Sequence, residues 1–196
     1  MHQNKSIMKS LFLTLFIFFQ LTAFAQKDCD YSTNVVDTIG SYKATKDYLV
    51  HERVFAGNAT YIFFSLINAD ETPYLKVQTI NKSTDFIKAI CFDANSKIYL
   101  QLVNGKIVTL VNTETETCGT MVRLEEENKY TRILTGDFMF LKGSFEDLKS
   151  SPVSLMRIKS VTDTQDYIFK KELVSELMKQ SYYPENYFMD YIKCVE

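Results

Sequence analysis

The feature that most constrains the fold is an alternation of short apolar runs with turn-forming residues between positions 42 and 142. The runs are rich in Val, Ile, Tyr and Phe, which favour β-strands, and they recur at intervals of about eight to twelve residues. The connections between them, such as residues 70–73, are too short for crossover helices. Neighbouring strands should therefore be antiparallel. We predict a mainly β fold, an antiparallel β-sandwich or barrel of about eight to ten strands.

The strand candidates are bounded by the Gly, Asn, Asp, Ser and Pro residues that mark turns. Before residue 143 they are 46–55, 60–67, 74–80, 86–92, 97–103, 106–111, 120–124, 130–134 and 138–142. A further strand, 153–160, follows Pro152.

The sharpest local signal is Asn104-Gly105, since both residues accept the positive φ that a type I′ turn requires. This turn predicts a hairpin in which Leu102 faces Ile107 and Ile98 faces Val111. One side of the hairpin is then almost wholly apolar and should face the core. It consists of Ile98, Leu100, Leu102, Ile107 and Val111.

Beyond residue 143 the pattern predicts one or two C-terminal helices packed on the sheet. Residues 144–148 fit a short helical turn with Ser144 as its N-cap. Residues 162–165 fit a capping box, followed by an apolar stripe that ends near residue 180, although the β-favouring triplet at 167–169 competes with a helix. Pro184 at a first-turn position opens a last helical segment. The stripe comprises Phe169, Leu173, Val174, Leu177 and Met178.

The N-terminus has the pattern of an export signal. Lys5 and Lys9 precede an apolar run over residues 11–21, and Ala23 and Ala25 supply the small side chains that signal peptidase requires. We predict that residues 1–25 are a cleaved signal peptide, which leaves residues 26–196 as a single secreted β-rich domain. The alternative is a membrane anchor, which normally needs about 20 apolar residues. No other stretch is apolar enough to span a bilayer, so we expect a secreted or periplasmic protein.

The four cysteines all follow the predicted signal peptide, and an even count in an exported protein favours two disulfides. Four cysteines allow three pairings. We favour Cys29 with Cys194, because domain termini often lie close together, and this leaves Cys91 with Cys118. A zinc or redox site is the weaker interpretation, since there is no Cys-x-x-Cys pair and His51 is distant from every cysteine. We predict no cofactor and no metal.

The sequence contains none of the common catalytic or cofactor-binding motifs. There is no Gly-x-Ser-x-Gly elbow, phosphate-binding loop, dinucleotide fingerprint or His-Glu-x-x-His pair. The net charge of −2 argues against nucleic acid, which requires a surplus of Lys and Arg. The leading hypothesis is therefore an exported, non-catalytic binding or interaction module for an unknown protein or small ligand.

Two alternatives remain open. Strands that are apolar on both sides suggest a β-barrel carrier of a small apolar, lipid-like ligand. A small hydrolase would have to use His51, the one imidazole after the signal peptide, or a pair of carboxylates.

A cluster of tyrosines near the C-terminus is the predicted interaction surface. It consists of Tyr182, Tyr183, Tyr187 and Tyr191. Tyrosine offers a flat apolar ring and a hydroxyl, which suits a binding surface. The alternative is that these residues dock the terminal helix on the sheet.

Overall fold

The computed structural model describes residues 27–125 and 128–196, and the predicted signal peptide lies outside these residues. Within the described part the chain forms strands β1 to β15, and every strand pairing is antiparallel. The prediction of a mainly β, antiparallel fold is therefore confirmed.

The strands are β1 Tyr31–Val36, β2 Ser41–Thr45, β3 Tyr48–Phe55, β4 Asn58–Ala69, β5 Thr72–Ser83, β6 Cys91–Asp93, β7 Lys97–Leu102, β8 Ile107–Asn112, β9 Glu116–Cys118, β10 Thr120–Leu124, β11 Lys129–Phe140, β12 Val153–Lys159, β13 Thr164–Ile168, β14 Leu173–Val174 and β15 Ser181–Tyr182. The helices are α1 Ser144–Ser150 and α2 Tyr187–Tyr191, and the latter is flanked by 3₁₀ turns Pro184–Asn186 and Ile192–Val195.

Eleven strands form one sheet in the order β1-β2-β4-β5-β11-β8-β7-β12-β13, with β3 also paired to β4 and β10 to β11. The three central strands β4, β5 and β11 are 12 residues long. Their length lets β4 pair with β2 and β3 along one edge, and lets β11 pair with β8 and β10 in the same way. The short pairs β6–β9 and β14–β15 are separate from this sheet.

The sheet curls strongly around its core. The rings of Phe64 on β4 and Phe169, just after β13, lie 6.0 Å apart between centroids. Six strand spacings separate β4 from β13, which would amount to about 29 Å in a flat sheet. The strands between them must therefore wrap around one shared interior. Its buried side chains include Ile62, Leu66, Leu75, Val77, Leu100, Leu110, Phe138 and Met156.

The predicted hairpin at Asn104-Gly105 is present, but its register is wrong by one residue. Ile98 pairs with Leu110. The turn closes through a hydrogen bond from the Gly105 N–H to the Leu102 carbonyl, at 3.0 Å, and Gly105 has φ +86° whereas Asn104 is not left-handed. A type I turn followed by a left-handed glycine makes a three-residue loop, in place of the predicted two-residue type I′ turn.

This slip changes which side chains of β8 enter the core, because successive residues of a strand point to opposite faces. Ile107 and Val111 were expected inside, yet Ile107 is 64% exposed and Val111 is partly exposed. Val108 and Leu110 are buried in their place.

The predicted helix between residues 162 and 180 is wrong, because this segment forms β13 and the β14–β15 hairpin. The first part of the segment, which leads into the β-favouring triplet at 167–169, pairs as β13 with β12 and so adds a strand to the sheet. Arg157 Nε of β12 also donates a hydrogen bond to Asp166 Oδ1 of β13 at 2.6 Å. Pairing with an existing strand outweighs the helical pattern. The expected stripe is split between buried and exposed residues: Phe169 and Leu173 are buried, while Val174, Leu177 and Met178 are exposed.

The prediction of one or two C-terminal helices is confirmed. Pro184 lies in the first turn of the last helical segment, as expected. The expected cap of α1 is wrong: Gly143 takes the N-cap position with φ +86°, no side chain caps this end, and Ser144 is buried in the first turn.

Other differences concern strand ends. The predicted strand 86–92 is reduced to β6, and the predicted strands 130–134 and 138–142 merge into β11, because Gly136 between them keeps its pairing with Val77 on β5. The hairpin of β1 and β2 was not predicted.

Both disulfides are present. Cys29 bonds to Cys194 and Cys91 bonds to Cys118, which are the pairs that the sequence analysis favours. The first ties the start of the described chain to the C-terminal helical segment, and the second ties β6 to β9.

Candidate binding site

An aromatic pocket lies where the C-terminal helical segment meets β2 and β3. We call it the tyrosine pocket, and its defining side chains are Lys27, Tyr48, Tyr183, Tyr187 and Tyr191. Its volume is about 350 Å³, which is within the range of small-ligand sites. The residues come from three distant parts of the chain, which the curled sheet and the Cys29–Cys194 disulfide bring together.

Tyr48, at the start of β3, is the centre of the pocket. Its ring centroid lies 5.0 Å from those of Tyr182 and Tyr187 and 5.4 Å from that of Tyr191. Its hydroxyl accepts a hydrogen bond from the Tyr183 N–H at 2.7 Å. These tilted and edge-on rings hold one another in place. Sequence reasoning missed Tyr48, which lies far from the C-terminal cluster along the chain.

The structure divides the predicted interaction surface into two parts. Tyr182 and Tyr187 are buried, with 5% and 1% of their surface exposed. They dock the terminal segment on the sheet, as the alternative interpretation expected. Tyr183 is 42% exposed and Tyr191 is partly exposed, so these two rings are accessible from solvent.

The Tyr187 hydroxyl is buried without a hydrogen bond of normal geometry within the described residues, although Thr45 lies beside it. Burial raises the pKa of Tyr187 far above its ordinary value, so the hydroxyl keeps its proton. A buried polar group without a partner is costly. Because the hydroxyl oxygen is closed off from solvent and Thr45 lies beside it, this group belongs to the packing of the terminal segment and does not face a molecule in the pocket.

Lys27 brings a positive charge to the rim. Its Nζ lies 2.7 Å from Asp190 Oδ2, 5.2 Å from the Tyr183 ring centroid and 5.6 Å from the Tyr191 ring centroid. Partial burial lowers the pKa of Lys27, but the hydrogen bond and charge of Asp190 outweigh it, so the pKa lies above its usual value. The ammonium is fully charged at neutral pH.

The two half-buried tyrosines also remain neutral. Burial raises the pKa of Tyr48, although the Tyr183 N–H and Lys27 oppose this. Burial likewise raises the pKa of Tyr191, and Lys27 opposes it. The pocket therefore presents neutral rings beside two carboxylate–ammonium pairs, Lys27 with Asp190 and Lys46 with Asp30.

The opposite end of the curled sheet is polar. Thr60, Asn81 and Arg132 form a cross-strand row on β4, β5 and β11, and Thr60 Oγ1 donates to Asn81 Oδ1 at 2.9 Å. This row borders a second, open cleft of about 520 Å³, which we call the polar cleft, between β5, residues 86–90 and Asp163. The sequence analysis did not predict the polar cleft. The clue that could have indicated it is the presence of polar residues at inward-facing positions of otherwise apolar strands.

Arg132 is buried beside the polar cleft and fixes the segment that forms one of its walls. The side chain is 8% exposed, and its guanidinium donates to the Ile87 carbonyl at 2.9 Å and to the Gly119 carbonyl at 2.5 Å. These bonds hold the segment before β6 against β11, where the Cys91–Cys118 disulfide also lies. The buried charge is compensated by fixed carbonyl dipoles.

The interior between the two ends is filled. A cavity bordered by Thr79, Phe92, Leu134 and Tyr167 measures about 20 Å³, which is room for about one water molecule. Ligand pockets are typically about 300 to 1,000 Å³. This cavity therefore does not offer the space that a carrier of a lipid-like ligand would need.

His51 lies at the seam where β3 approaches β13, with its ring 5.0 Å from the ring of Tyr167 on β13. Burial lowers the pKa of His51, and the charges of Lys170 and Arg53 lower it further. No hydrogen bond joins the imidazole to a hydroxyl or carboxylate of the described residues. It therefore lacks the partner that would activate a nucleophile.

One cluster of metal-ligating residue types is close enough for a shared ion: Cys91, Glu116 and Cys118 have ligand atoms within 4.8 Å of one another. The two sulfurs are bonded to each other and cannot act as thiolate ligands. The cluster therefore carries no argument for a metal.

Comparison with known proteins gives no match: no family model, curated protein or solved structure is similar to this chain. Across residues 27–125 and 128–196, none of the helices has the length and apolar character needed to cross a membrane.

Proposed function

We propose that this protein is an exported, non-catalytic binding module that holds a partner protein in the tyrosine pocket. The observation that carries the proposal is the pocket itself, in which the accessible rings of Tyr183 and Tyr191 lie beside the Lys27 ammonium. Tyrosine is enriched at the centres of protein interfaces, because it supplies a large contact area and a hydrogen bond with few rotatable bonds.

The rigidity of the site supports this proposal. The rings pack on one another and on the sheet, and the Cys29–Cys194 disulfide anchors the segment that carries Lys27. Side chains that are already ordered lose little conformational entropy when a partner binds. A partner therefore meets a nearly preformed surface.

The export part of the proposal is supported by the signal-peptide pattern of residues 1–25 and by the two disulfides. Disulfides form and persist in oxidising compartments such as the periplasm and the extracellular space. Fractionation of producing cells should find the protein outside the cytoplasm with residue 26 as its N-terminus. Recovery in the cytoplasm with an intact N-terminus would contradict export.

The binding part is tested with one matched pair of variants. Tyr183 and Tyr42 have similar exposure, 42% and 38%, but Tyr42 lies on β2 outside the pocket. A peptide array selects the tightest peptide for the disulfide-bonded protein, and calorimetry measures its affinity. We expect Tyr183→Ala to weaken binding about tenfold or more, and Tyr42→Ala to change it less than about twofold.

Equal affinities for the two variants would refute the proposed site. Turnover of a substrate by the wild-type protein that is lost on mutation of the pocket would refute the non-catalytic part.

A further inference from the structure

We propose that the tyrosine pocket recognises a primary ammonium group, and that Lys27 of the same chain occupies the ammonium position in this structure. This inference rests on the proposed binding function and specifies the chemistry of its ligand. It assigns Tyr183, Tyr191 and Asp190 as the groups that hold the cation.

The geometry around Lys27 Nζ is that of an ammonium site. The Tyr183 and Tyr191 ring centroids lie 5.2 and 5.6 Å away, within the range in which a ring face attracts a cation. Asp190 Oδ2, at 2.7 Å, accepts one of the three ammonium hydrogens. A quaternary ammonium has no hydrogen for this bond, so the carboxylate favours a primary ammonium.

The pocket extends beyond the space that Lys27 fills. About 350 Å³ remains open beside it. A ligand larger than a bare ammonium group therefore has room in the pocket. A lysine residue of a peptide fits this space, because its side chain ends in a primary ammonium and its backbone extends beyond it.

The charges around the pocket also favour a cation. Lys46 on the same rim pairs with Asp30 at 2.9 Å. Asp190 has Lys27 as its ion-pair partner, and Asp47 forms no ion pair within the described residues. When Lys27 leaves, two carboxylates are therefore without a cation: Asp47, which lines the pocket, and Asp190, which lies at the position that the Lys27 ammonium vacates.

Lys27 is able to leave. Its side chain is 42% exposed, and its place in the sequence is two residues before Cys29, which the disulfide to Cys194 anchors. The side chain can therefore swing into solvent while its backbone stays tethered. A tethered group competes at an effective concentration on the order of millimolar, so a free amine should bind the wild-type protein weakly.

The experiment is a titration with n-butylamine hydrochloride, followed by NMR of the Tyr183 and Tyr191 ring signals. It compares the wild-type protein with Lys27→Ala and Lys46→Ala. Both variants lose one positive charge at the rim of the same pocket, but only Lys27→Ala vacates the ammonium position. We expect Lys27→Ala to bind the amine about tenfold more tightly than the wild type, and Lys46→Ala to bind within about twofold of it.

Three further measurements define the recognition. Adding Asp190→Asn to Lys27→Ala should abolish the gain in affinity, and tetramethylammonium should bind Lys27→Ala more weakly than n-butylamine does. N-acetyl-lysine methylamide distinguishes the source of the ammonium: tighter binding than n-butylamine indicates a peptide lysine, and equal binding indicates a simple amine.

The inference is overturned if Lys27→Ala gains no affinity, or if Lys46→Ala gains as much, since the effect would then be one of overall charge. If Tyr183→Ala still loses peptide binding in that case, the proposed binding function stands and only its ammonium chemistry is refuted. If Tyr183→Ala has no effect either, both proposals fail.

Discussion

The two ends of the curled sheet are closed in different ways. At one end the C-terminal helical segment inserts aromatic side chains, and Phe64, Tyr187 and Phe188 pack ring against ring. At the other end polar groups such as Thr60 and Asn81 line the cleft, and Arg132 holds Ile87 and Gly119 beside it. Each end has its own disulfide.

The difference lies in what each end presents to a ligand. Arg132 at the polar end is buried and donates to main-chain carbonyls of its own protein. The aromatic end presents the accessible rings of Tyr183 and Tyr191 together with the Lys27 ammonium. Ordered aromatic rings supply a large contact area, and we therefore place the binding site at the aromatic end although the polar cleft is larger.

The largest expected effect is the loss of stability when the disulfide at either end is removed. The Cys29–Cys194 bond spans 165 residues and the Cys91–Cys118 bond spans 27. On the chain-entropy model these loops correspond to about 5 and about 3.5 kcal/mol of stability. Urea unfolding of the two double Cys→Ser variants should therefore show the greater loss for Cys29 and Cys194. The opposite order would mean that the aromatic end holds itself closed without its disulfide.

The next effect concerns the polar end. Phe92 of β6 lies directly on Gly136 of β11, and an added Cβ at Gly136 would come within 2.6 Å of the Phe92 ring. Phe92 is buried and cannot move away easily. Gly136→Ala should therefore lower the free energy of unfolding by about 1 to 3 kcal/mol, as measured by urea titration.

The matched test of this clash is the double variant Gly136→Ala with Phe92→Leu. A smaller side chain at residue 92 relieves the contact, so the two changes should cost less together than the sum of their separate effects. Simple additivity would show that the clash with Phe92 is not the cause.

A smaller effect compares two hydroxyls at the aromatic end. Tyr48→Phe removes the acceptor of the Tyr183 N–H and should cost about 1 kcal/mol in a thermal or urea unfolding experiment. Tyr187→Phe removes a buried hydroxyl that makes no hydrogen bond of normal geometry, so stability should stay unchanged or rise by up to about 1 kcal/mol. Equal losses for the two variants would indicate that the Tyr187 hydroxyl is bonded in solution.

The smallest effect is a pH dependence at the seam between β3 and β13. The pKa of His51 is lowered on folding, so the unfolded chain takes up its proton first as the pH falls. The stability that the neutral imidazole contributes is complete above the unfolded pKa of about 6.5 and decreases below it. The wild-type melting temperature should therefore fall more between pH 7.5 and 5.5 than that of His51→Gln. Parallel curves would contradict this.

Much of the fold is predictable because its signals are local. Residues 60–67 and 74–80 are short runs bounded by turn-forming residues, and they lie inside β4 and β5. The errors occur where two local signals compete or where one residue decides. The segment 162–180 has helical spacing and β-favouring residues together, and its pairing with β12 decides between them. At Asn104-Gly105 the local preference fits two turn types, and a one-residue difference exchanges the faces of β8.

The candidate site is only half visible in the sequence. Tyr183 and Tyr191 stand out as part of a dense tyrosine cluster. Tyr48 does not, because nothing near it in the chain points to the C-terminus. Lys27 lies two residues before Cys29, whose predicted bond to Cys194 brings it near the C-terminus, but nothing in the sequence shows that Lys27 meets Asp190 across 163 residues. No local pattern encodes a contact of that separation.

The sequence by itself determined the antiparallel β class, the favoured pairing of the cysteines and the helical end, since strand periodicity, short connections and residue type act within a few positions. Only the tertiary structure decided the register of β7 and β8, the curl that brings Phe64 to Phe169, and the meeting of Lys27 with two tyrosine rings. These features depend on the packing of distant segments around one core, where the total of many weak contacts outweighs any local preference.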